Sequence, residues 1–386
     1  MVKSEVHSRE KSLVFQPGKI GGMVVKNRLV RSATGEACAA EDGSVTDELL
    51  KLYKALAAGG VGLIIAGYAY VQSSGKCIPT QTGIDKDELI PGLRKITQTV
   101  HEHGNGCKIA AQLVHSGRQS FVLTETVAPS AVLESMRNLV PREMTIGEIE
   151  ETIEAFAAAV NRAKEAGFDA VQLHAAHGYL LSEFLSPFTN KRTDEYGGST
   201  EKRFKIVEDI YKRSVEKVGK DFPILIKMNV DDFLEGGINL AESKKIAERL
   251  SRTGFAAIET SGGMWEVITR SKEELGWEPV VLIEARIDIN SKDKEAYHLQ
   301  YAREIRKVIK VPLILVGGIR SLDVIEEILA EGSADFIALC RPLIRQPGLP
   351  NSWLKGTGAS TAKCISCNGC VSSVMVGALE CIPQTT

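Results

Sequence analysis

The residues best suited to chemistry lie near the middle of the chain, in the run His174-Ala-Ala-His177-Gly-Tyr179. Two histidines three residues apart can point into one cavity, and a tyrosine hydroxyl beside them can donate a proton. A metal site would require a third ligand, and no cysteine or carboxylate at ligand spacing is obvious nearby. The alternative is a purely structural role, in which each histidine is buried and its hydrogen bonds are satisfied within the protein. The cluster favours two neutral imidazoles that hydrogen-bond a substrate oxygen, with Tyr179 as proton donor.

A glycine pair further along the chain has the features of a phosphate site. Gly317 and Gly318 follow an apolar run, and a helix is expected to begin at Ser321. Glycines let backbone N–H groups approach a phosphate, and Arg341 after the next apolar run can complete the clamp. The alternative is a glycine-rich turn beside a solvated arginine.

Two polar residues interrupt apolar runs that otherwise predict buried strands. The Gln112 amide can act as both hydrogen-bond donor and acceptor to a planar heterocycle. Alternatively, neighbouring backbone groups can satisfy its hydrogen bonds. A buried Lys227 requires an anionic or electron-rich partner, and a flavin that gains negative charge on reduction would suffice. The alternative for Lys227 is a salt bridge to a buried carboxylate such as Asp231 or Asp232.

Half of the cysteines crowd the C-terminal end. Cys364, Cys367 and Cys370 are separated by two residues each, and Cys381 follows ten residues later. Four thiolates at this spacing suit a 4Fe-4S cluster. A four-cysteine zinc site and unliganded thiols are the alternatives.

Composition limits the class of protein. The chain has 386 residues, with 47 Lys plus Arg against 49 Asp plus Glu and a formal net charge of −2. Binders of nucleic acid or anionic membranes require a basic surplus, so neither partner is expected. The N-terminus is polar, and no apolar run approaches the roughly 18 residues of a membrane helix. We therefore expect a cytoplasmic protein with reduced cysteines; a homo-oligomer stays open.

Eight short apolar runs must position these residues. Most are continuously apolar rather than alternating, which is typical of strands buried on both faces of a parallel sheet. The predicted strands are 28–32, 61–66, 108–113, 169–173, 223–228, 256–260, 312–316 and 335–339.

Helical patterns separate these runs, such as the one opened by the capping box of Thr145 and Glu148. Eight strand–helix units favour a closed (β/α)8 TIM barrel over a doubly wound sheet, since no G-x-G-x-x-G follows the first strand. We predict a barrel over residues 1–345 and a cysteine-rich tail over 346–386, with a hairpin at Gly21 and Gly22 closing the bottom. The polar loops 174–199 and 262–297 should build the site, and Trp265, Trp277 and Arg270 are candidate substrate contacts.

Together these residues resemble the Old Yellow Enzyme family of FMN-dependent barrels, over about residues 13–345. The segments that carry the resemblance are PGKIGGMVVKNRLVRSAT, KIAAQLVHSGRQS, FDAVQLHAAHGYLLSEFLSPFTNKRTDEYGGSTEKR and VPLILVGGI with DFIALCRPLI. The third segment is the most specific, because a shared barrel alone would not produce it. The cysteine tail narrows the resemblance to the branch similar to 2,4-dienoyl-CoA reductase and trimethylamine dehydrogenase, whose barrels are followed by a 4Fe-4S motif.

The resemblance implies which residues contact the flavin. They are Ser32, Ala33, Thr34, Gln112, Lys227, Gly317, Gly318, Cys340 and Arg341. Gln112 would meet the isoalloxazine edge and Lys227 its N1/O2 region, whereas Gly318 and Arg341 would hold the phosphate. His174 and His177 would bind the substrate carbonyl or a nicotinamide.

The implied reaction is NAD(P)H-dependent reduction of the activated C=C bond of an α,β-unsaturated carbonyl, with FMN as cofactor and Tyr179 protonating the α-carbon. The resemblance also leaves other functions open. A 4Fe-4S cluster would let a separate electron-transfer protein feed the flavin, and the branch includes demethylation and isomerisation chemistry. A zinc-tailed barrel without catalytic function is the alternative of a different class.

This sequence departs from the family pattern at several positions. Gly35 stands where many relatives carry Thr or Cys, Lys227 replaces the commoner Arg, and Cys340 replaces a Gly. Relatives with a cluster continue into FAD- and nucleotide-binding domains, whereas this sequence ends five residues after Cys381. We therefore expect no electron relay to a second flavin within these 386 residues.

Overall fold

The computed structural model describes residues 11–281 and 284–383. Its strands are β1 Gly18–Ile20, β2 Met23–Val25, β3 Leu29–Arg31, β4 Leu63–Tyr70, β5 Lys108–Val114, β6 Val127–Ala128, β7 Arg142–Glu143, β8 Ala170–Ala175, β9 Ile224–Asn229, β10 Ala257–Ser261, β11 Leu313–Leu315 and β12 Phe336–Leu339. Eight of them, β3, β4, β5 and β8 to β12, close into a barrel in that order. Each predicted run overlaps one barrel strand, so the predicted (β/α)8 fold is confirmed.

Helices connect the barrel strands and cover the outside. They are α1 Asp47–Ala58, α2 Ile90–His103, α3 Ile146–Glu165, α4 Leu180–Leu185, α5 Thr200–Val218, α6 Leu240–Thr253, α7 Lys272–Leu275, α8 Leu299–Arg306, α9 Leu322–Glu331, α10 Arg341–Arg345, α11 Leu349–Lys355 and α12 Gly369–Val376. The predicted capping box of Thr145 and Glu148 opens α3. In the part of the chain that the structure describes, no helix is both long and apolar enough to cross a membrane.

The predicted hairpin closes one end of the barrel. β1 and β2 pair antiparallel around Gly21 and Gly22. Ile20, Met23 and Val25 are buried in the cluster of apolar side chains that fills the barrel interior. This apolar plug leaves the opposite end, at the carboxyl ends of the strands, for polar side chains.

Strand register places those polar side chains side by side. Gln112 on β5 pairs with Gln172 on β8. His174 on β8 pairs with Lys227 on β9, and Lys227 pairs with Glu259 on β10. Because residues in register on neighbouring parallel strands face the same side, these five residues form one polar layer inside the barrel.

The C-terminal segment packs on the barrel rather than away from it. Leu349 and Trp353 of α11 are buried, and Thr361 pairs with Ser321 at the start of α9. The backbone N–H of Ala362 donates to the carbonyl of Arg320 at 2.8 Å. The division between a barrel and a tail at residue 345 stays a prediction.

Candidate active site

One large cavity opens at the carboxyl ends of the barrel strands. It encloses about 1410 Å³, a volume that includes the solvent at its open mouth. Eleven of the twelve predicted flavin-binding and catalytic residues line it: Ser32, Ala33, Thr34, Gln112, His174, His177, Tyr179, Lys227, Gly318, Cys340 and Arg341. Gly317 lies behind the lining, where its carbonyl accepts from the backbone N–H of Tyr297 at 3.2 Å.

The polar layer at the base of the cavity is a connected hydrogen-bond network. Nε2 of Gln112 donates to Gln172 at 2.7 Å, and Nε2 of Gln172 donates to Glu259 at 2.7 Å. Gln112 lines the cavity, and its Oε1 stays available to accept from a ligand. The network fixes the amide orientation before a ligand binds.

Lys227 has the buried carboxylate partner that the alternative interpretation predicted, but this partner is Glu259 rather than Asp231 or Asp232. The Lys227 ammonium lies 3.2 Å from Glu259 Oε1 and donates to the Ser32 hydroxyl at 2.8 Å. Asp232 instead accepts from Ser186 at 2.7 Å. Strand neighbours determine the pairing, and β10 is the neighbour of β9, whereas the two aspartates lie beyond the end of β9.

The two histidines meet in the cavity with defined hydrogen bonds. Their rings are 5.1 Å apart in an edge-on arrangement. Nδ1 of His174 accepts from the backbone N–H of Ala176 at 3.4 Å, so a neutral His174 carries its proton on Nε2. Nε2 of His177 lies 2.6 Å from the Ser261 hydroxyl, and its backbone N–H donates to Asn229 at 3.0 Å.

Both imidazoles are neutral at ordinary pH. Burial holds the pKa of His174 and of His177 well below its usual value, and the charge of Lys227 lowers both further. A neutral imidazole donates one hydrogen bond without adding a charge. The lowered pKa values agree with the predicted neutral imidazoles, whereas donation to a substrate oxygen stays a prediction.

Tyr179 belongs to a group of hydroxyl and thiol side chains. Its ring lies 4.8 Å from that of His174 and 5.7 Å from that of Tyr68. The Tyr68 hydroxyl makes side-chain hydrogen bonds with Cys77 and Tyr179, and the Cys77 thiol donates to the carbonyl of Gln119 at 3.1 Å. Burial raises the pKa of Tyr179 well above its usual value, so the phenol keeps its proton.

The far end of the cavity is cationic. Arg341 lines it and donates to Asn368 at 2.6 Å, and Arg320 also contributes to the lining. Nε of Arg320 is buried without a hydrogen-bond partner among the described residues. The Thr34 hydroxyl and the Cys340 thiol lie 3.0 Å apart between this end and the base.

The lining therefore fits a flavin mononucleotide. A buried cation and an amide at the base suit the isoalloxazine ring, whereas two arginines at the other end suit a phosphate. Gly318 has φ +69°, and a Cβ there would lie 2.8 Å from the Tyr297 ring. Glycine at position 318 thus lets this turn adopt a left-handed conformation while packing closely against the Tyr297 ring.

The four tail cysteines line a second, smaller pocket. Cys364, Cys367, Cys370 and Cys381 surround about 290 Å³ together with Arg345. Cys370 lines the large cavity as well. Within the described ranges, no group of three or more His, Cys, Asp or Glu side chains is arranged to hold a metal ion.

Sequence reasoning missed several lining residues. Tyr68, Ser261 and Glu284 line the cavity without having been singled out. Tyr68 and Ser261 stand at or near the ends of barrel strands, which is the one signal that could have found them. Of the predicted loop contacts, Trp265 lines the cavity, whereas Trp277 packs on Phe233 with ring centroids 5.8 Å apart.

Another predicted loop contact also lies elsewhere. Arg270 donates to the carbonyl of Phe233 at 2.8 Å, and it is not among the residues that line the cavity. Its position holds the loop after β10 against the turn after β9. Its role in the structure is therefore local packing of two loops.

These features are typical of a flavin-binding barrel oxidoreductase. They are the polar base of the cavity, the histidine–tyrosine cluster and the cationic end. The chain belongs to the NADH:flavin oxidoreductase / NADH oxidase family, whose sequence profile matches residues 13–357. The resemblance to the Old Yellow Enzyme family is thereby confirmed.

Individual proteins extend the comparison. The chain is 41% identical over 364 residues to the NADH oxidase of Thermoanaerobacter brockii, covering 93% of this chain and 53% of that protein. It superposes on 2-naphthoyl-CoA reductase in complex with 2-naphthoyl-CoA with a TM-score of 0.86 at 30% identity, covering 96% of this chain and 56% of that one. An old yellow enzyme homologue from Zymomonas mobilis gives a TM-score of 0.74 at 27% identity, covering 90% and 94%. The chain thus spans about half the length of the first two.

Proposed function

We propose that this protein is an FMN-dependent oxidoreductase that reduces the activated C=C bond of an α,β-unsaturated carbonyl at the expense of NAD(P)H. The observation that carries the proposal is the single cavity that joins a flavin-type lining to the His174, His177 and Tyr179 cluster. When bound, FMN would supply hydride exchange between a nicotinamide and the substrate. The residues that line the cavity would supply binding, orientation and proton transfer.

The two histidines would bind and polarise the substrate carbonyl. Both are neutral, so each contributes a hydrogen-bond donor rather than a charge. Ser261 and Asn229 fix His177, and the backbone at Ala176 fixes His174. Donors fixed in advance stabilise the negative charge that develops on a carbonyl oxygen when its conjugated alkene accepts hydride.

Tyr179 would deliver the proton to the α-carbon. Its hydroxyl is protonated because burial raises its pKa. The Tyr68 hydroxyl and the Cys77 thiol make hydrogen bonds with the Tyr179 hydroxyl. These hydrogen bonds would hold the Tyr179 hydroxyl in one orientation. A positioned general acid of this kind contributes roughly 10²–10⁴-fold to the rate of a proton-transfer step.

Anaerobic stopped-flow measurement of the two half-reactions tests this assignment. With 2-cyclohexenone as oxidant, Tyr179→Phe should slow reoxidation of the reduced flavin by about 10²–10⁴-fold, and it should leave flavin reduction by NADPH unchanged. Tyr70→Phe is the matched control, since that hydroxyl donates to the carbonyl of Asp42 outside the cavity. Reoxidation of Tyr179→Phe at the rate of the unmodified protein would make the proton-donor assignment wrong.

We infer that the tail holds a 4Fe-4S cluster, through which a separate electron-transfer protein can feed the flavin. The inference is supported by the shared pocket of the four cysteines and by Cys370, which borders both that pocket and the large cavity. A zinc ion held by the same four thiolates is the alternative, and iron, sulfide and zinc analysis of the anaerobically purified protein distinguishes the two.

Rapid anaerobic mixing with NADH and with NADPH distinguishes the two electron routes. Bleaching of the flavin band by either nucleotide supports the direct route. A flavin that stays oxidised with both would exclude direct nicotinamide use and leave the cluster-fed route.

A further inference from the structure

We propose that Arg118 is a positioning residue that ties the loop of Tyr179 to the loop of Trp265 by pairing with a carboxylate from each. The proposal rests on the proposed function, because it concerns how that function's proton donor is held. Nothing in the His174, His177 and Tyr179 cluster itself explains what fixes the two loops.

The three side chains meet away from solvent. Arg118 Nη2 lies 2.7 Å from Glu266 Oε1, and Arg118 Nε lies 3.5 Å from Glu183 Oε1. The backbone N–H of Arg118 also donates to Glu183 at 3.0 Å. The arginine and Glu183 side chains are 0% exposed, and that of Glu266 is 8% exposed.

Each carboxylate sits beside a ring of the cavity. Glu183 lies on α4, and its backbone N–H donates to the carbonyl of Tyr179 at 2.8 Å. Glu266 directly follows Trp265, whose ring lies 6.4 Å from that of Tyr179. One guanidinium therefore connects the segments after β5, β8 and β10 immediately behind the wall of the cavity.

Two carboxyl groups, Glu183 and Glu266, pair with the single cation Arg118, and a third, Glu134, faces Glu183. Arg118, Glu266 and Glu134 are the charged groups that face Glu183, from the segments after β5 and β10 and from the loop before β7. Glu134 accepts from the backbone N–H groups of Met136 and Arg137 within its own loop. Two buried carboxylates against one guanidinium are stable only if one of them is protonated.

Burial raises the pKa of both carboxyls, and we assign the proton to Glu183 because it is the more deeply buried of the two. Burial raises its pKa to about 8, Arg118 opposes the shift, and Glu266 and Glu134 add to it. Loss of that proton would leave two adjacent anions on Arg118 and push α4 away from the segment of Trp265. Tyr179 is the residue displaced, because it is the N-cap residue immediately before α4.

The sign of the effect on stability follows from this raised pKa. Glu183 titrates near 4.5 when unfolded and near 8 when folded, so its contribution is fully present below about 4.5 and is lost as the pH rises to about 8. Glu183→Gln keeps the size of the side chain and cannot ionise. Glu266→Gln removes the repelling neighbour, so Glu183 can ionise beside Arg118 at lower pH.

The experiment measures two pH profiles on the FMN-loaded protein from pH 7 to 9, a range in which the cavity histidines stay neutral: the thermal unfolding midpoint and the rate of reoxidation by 2-cyclohexenone. The unmodified protein should lose unfolding temperature as the pH rises from 7 toward 8, and its reoxidation rate should fall above pH 8. Glu183→Gln should flatten both profiles, and Glu266→Gln should give an intermediate slope. Glu125→Gln is the control, because that carboxylate is 74% exposed and pairs with Arg142 on the surface.

Two results would overturn the proposal. One is a change of the unfolding midpoint with pH that is as steep in Glu183→Gln as in the unmodified protein. The other is an equally steep change in Glu266→Gln and in Glu125→Gln. The unfolding profile needs no substrate. If the protein does not reduce enones, the proposed function fails, yet the unfolding profile still decides whether Arg118 ties the two loops.

Discussion

The Lys227 ammonium lies 3.2 Å from Oε1 of Glu259 at the base of the cavity, where the two side chains are 5% and 0% exposed. Register in the barrel brings them together, since Lys227 on β9 pairs directly with Glu259 on β10. The lysine is therefore held by a carboxylate beneath it and by the Ser32 hydroxyl. These two partners hold the lysine ammonium in place at the base of the cavity before any ligand binds.

We expect Lys227→Met to lower FMN affinity by about 10–100-fold, because a hydrogen bond to a charged group contributes about 1.5–3 kcal/mol. Glu259→Gln keeps an acceptor and removes the competing anion, so it should retain FMN affinity. Fluorescence titration of the FMN-free protein with FMN measures both. Equal losses in the two variants would mean that the pair is structural rather than a flavin contact.

Acid should destabilise the protein through the cavity histidines. Their pKa is depressed in the folded state, so their contribution is full above the ordinary value of 6.5 and is lost as the pH falls below it. Each histidine then lowers the free energy of unfolding by at most about 1.4 kcal/mol for each unit by which the pH falls. Urea unfolding at pH 7 and pH 5.5 should show a smaller loss for the His174→Asn/His177→Asn variant.

His103→Asn is the matched control for the acid experiment, because His103 is exposed on α2. It should lose as much stability between the two pH values as the unmodified protein. If the double variant did the same, the histidines would not be neutral in the folded state.

Gly318→Ala should weaken FMN binding by about tenfold or more, which corresponds to about 1.4 kcal/mol. A Cβ there would meet the Tyr297 ring at 2.8 Å and would stand at φ +69°. Gly332→Ala provides the control for backbone strain alone, since Gly332 has φ +75° and nothing within 4 Å. Unchanged FMN affinity in Gly318→Ala would remove Gly318 from the phosphate site.

Cys367→Ser should abolish bound iron and labile sulfide in anaerobically purified protein, while flavin content stays unchanged. The reason is that a cluster of this type requires four thiolates. Cys107→Ser is the matched control: that buried thiol lies outside both pockets, and burial raises its pKa to about 12. Stoichiometric zinc without labile sulfide would contradict the cluster.

The fold could be predicted from the sequence because apolar runs and glycines mark each strand and helix end locally. Continuous apolar runs mark strands buried on both faces, and glycines such as Gly254, at φ +115°, mark where helices end before them. The hairpin at Gly21 and Gly22 was predicted for the same reason. Each of these features depends on residues that are close in the chain.

Contacts across the barrel were not readable in the same way. Glu259 lies 32 residues after Lys227 in the sequence, and only the strand order makes them neighbours. The Gln112–Gln172 contact and the Arg118–Glu266 contact depend in the same way on strands and loops distant in the chain. Sequence spacing therefore predicted which residues are polar and inward, but not which of them pair.

The central claim is that the cavity holds FMN and passes reducing equivalents from a nicotinamide. The most direct measurement is the anaerobic absorption spectrum of the purified protein, recorded after incubation with FMN and again after addition of NADH or NADPH. The account predicts flavin bands that remain after gel filtration and that bleach with a nicotinamide, above the broad absorption of a cluster. A protein that retains no flavin band after gel filtration would contradict it.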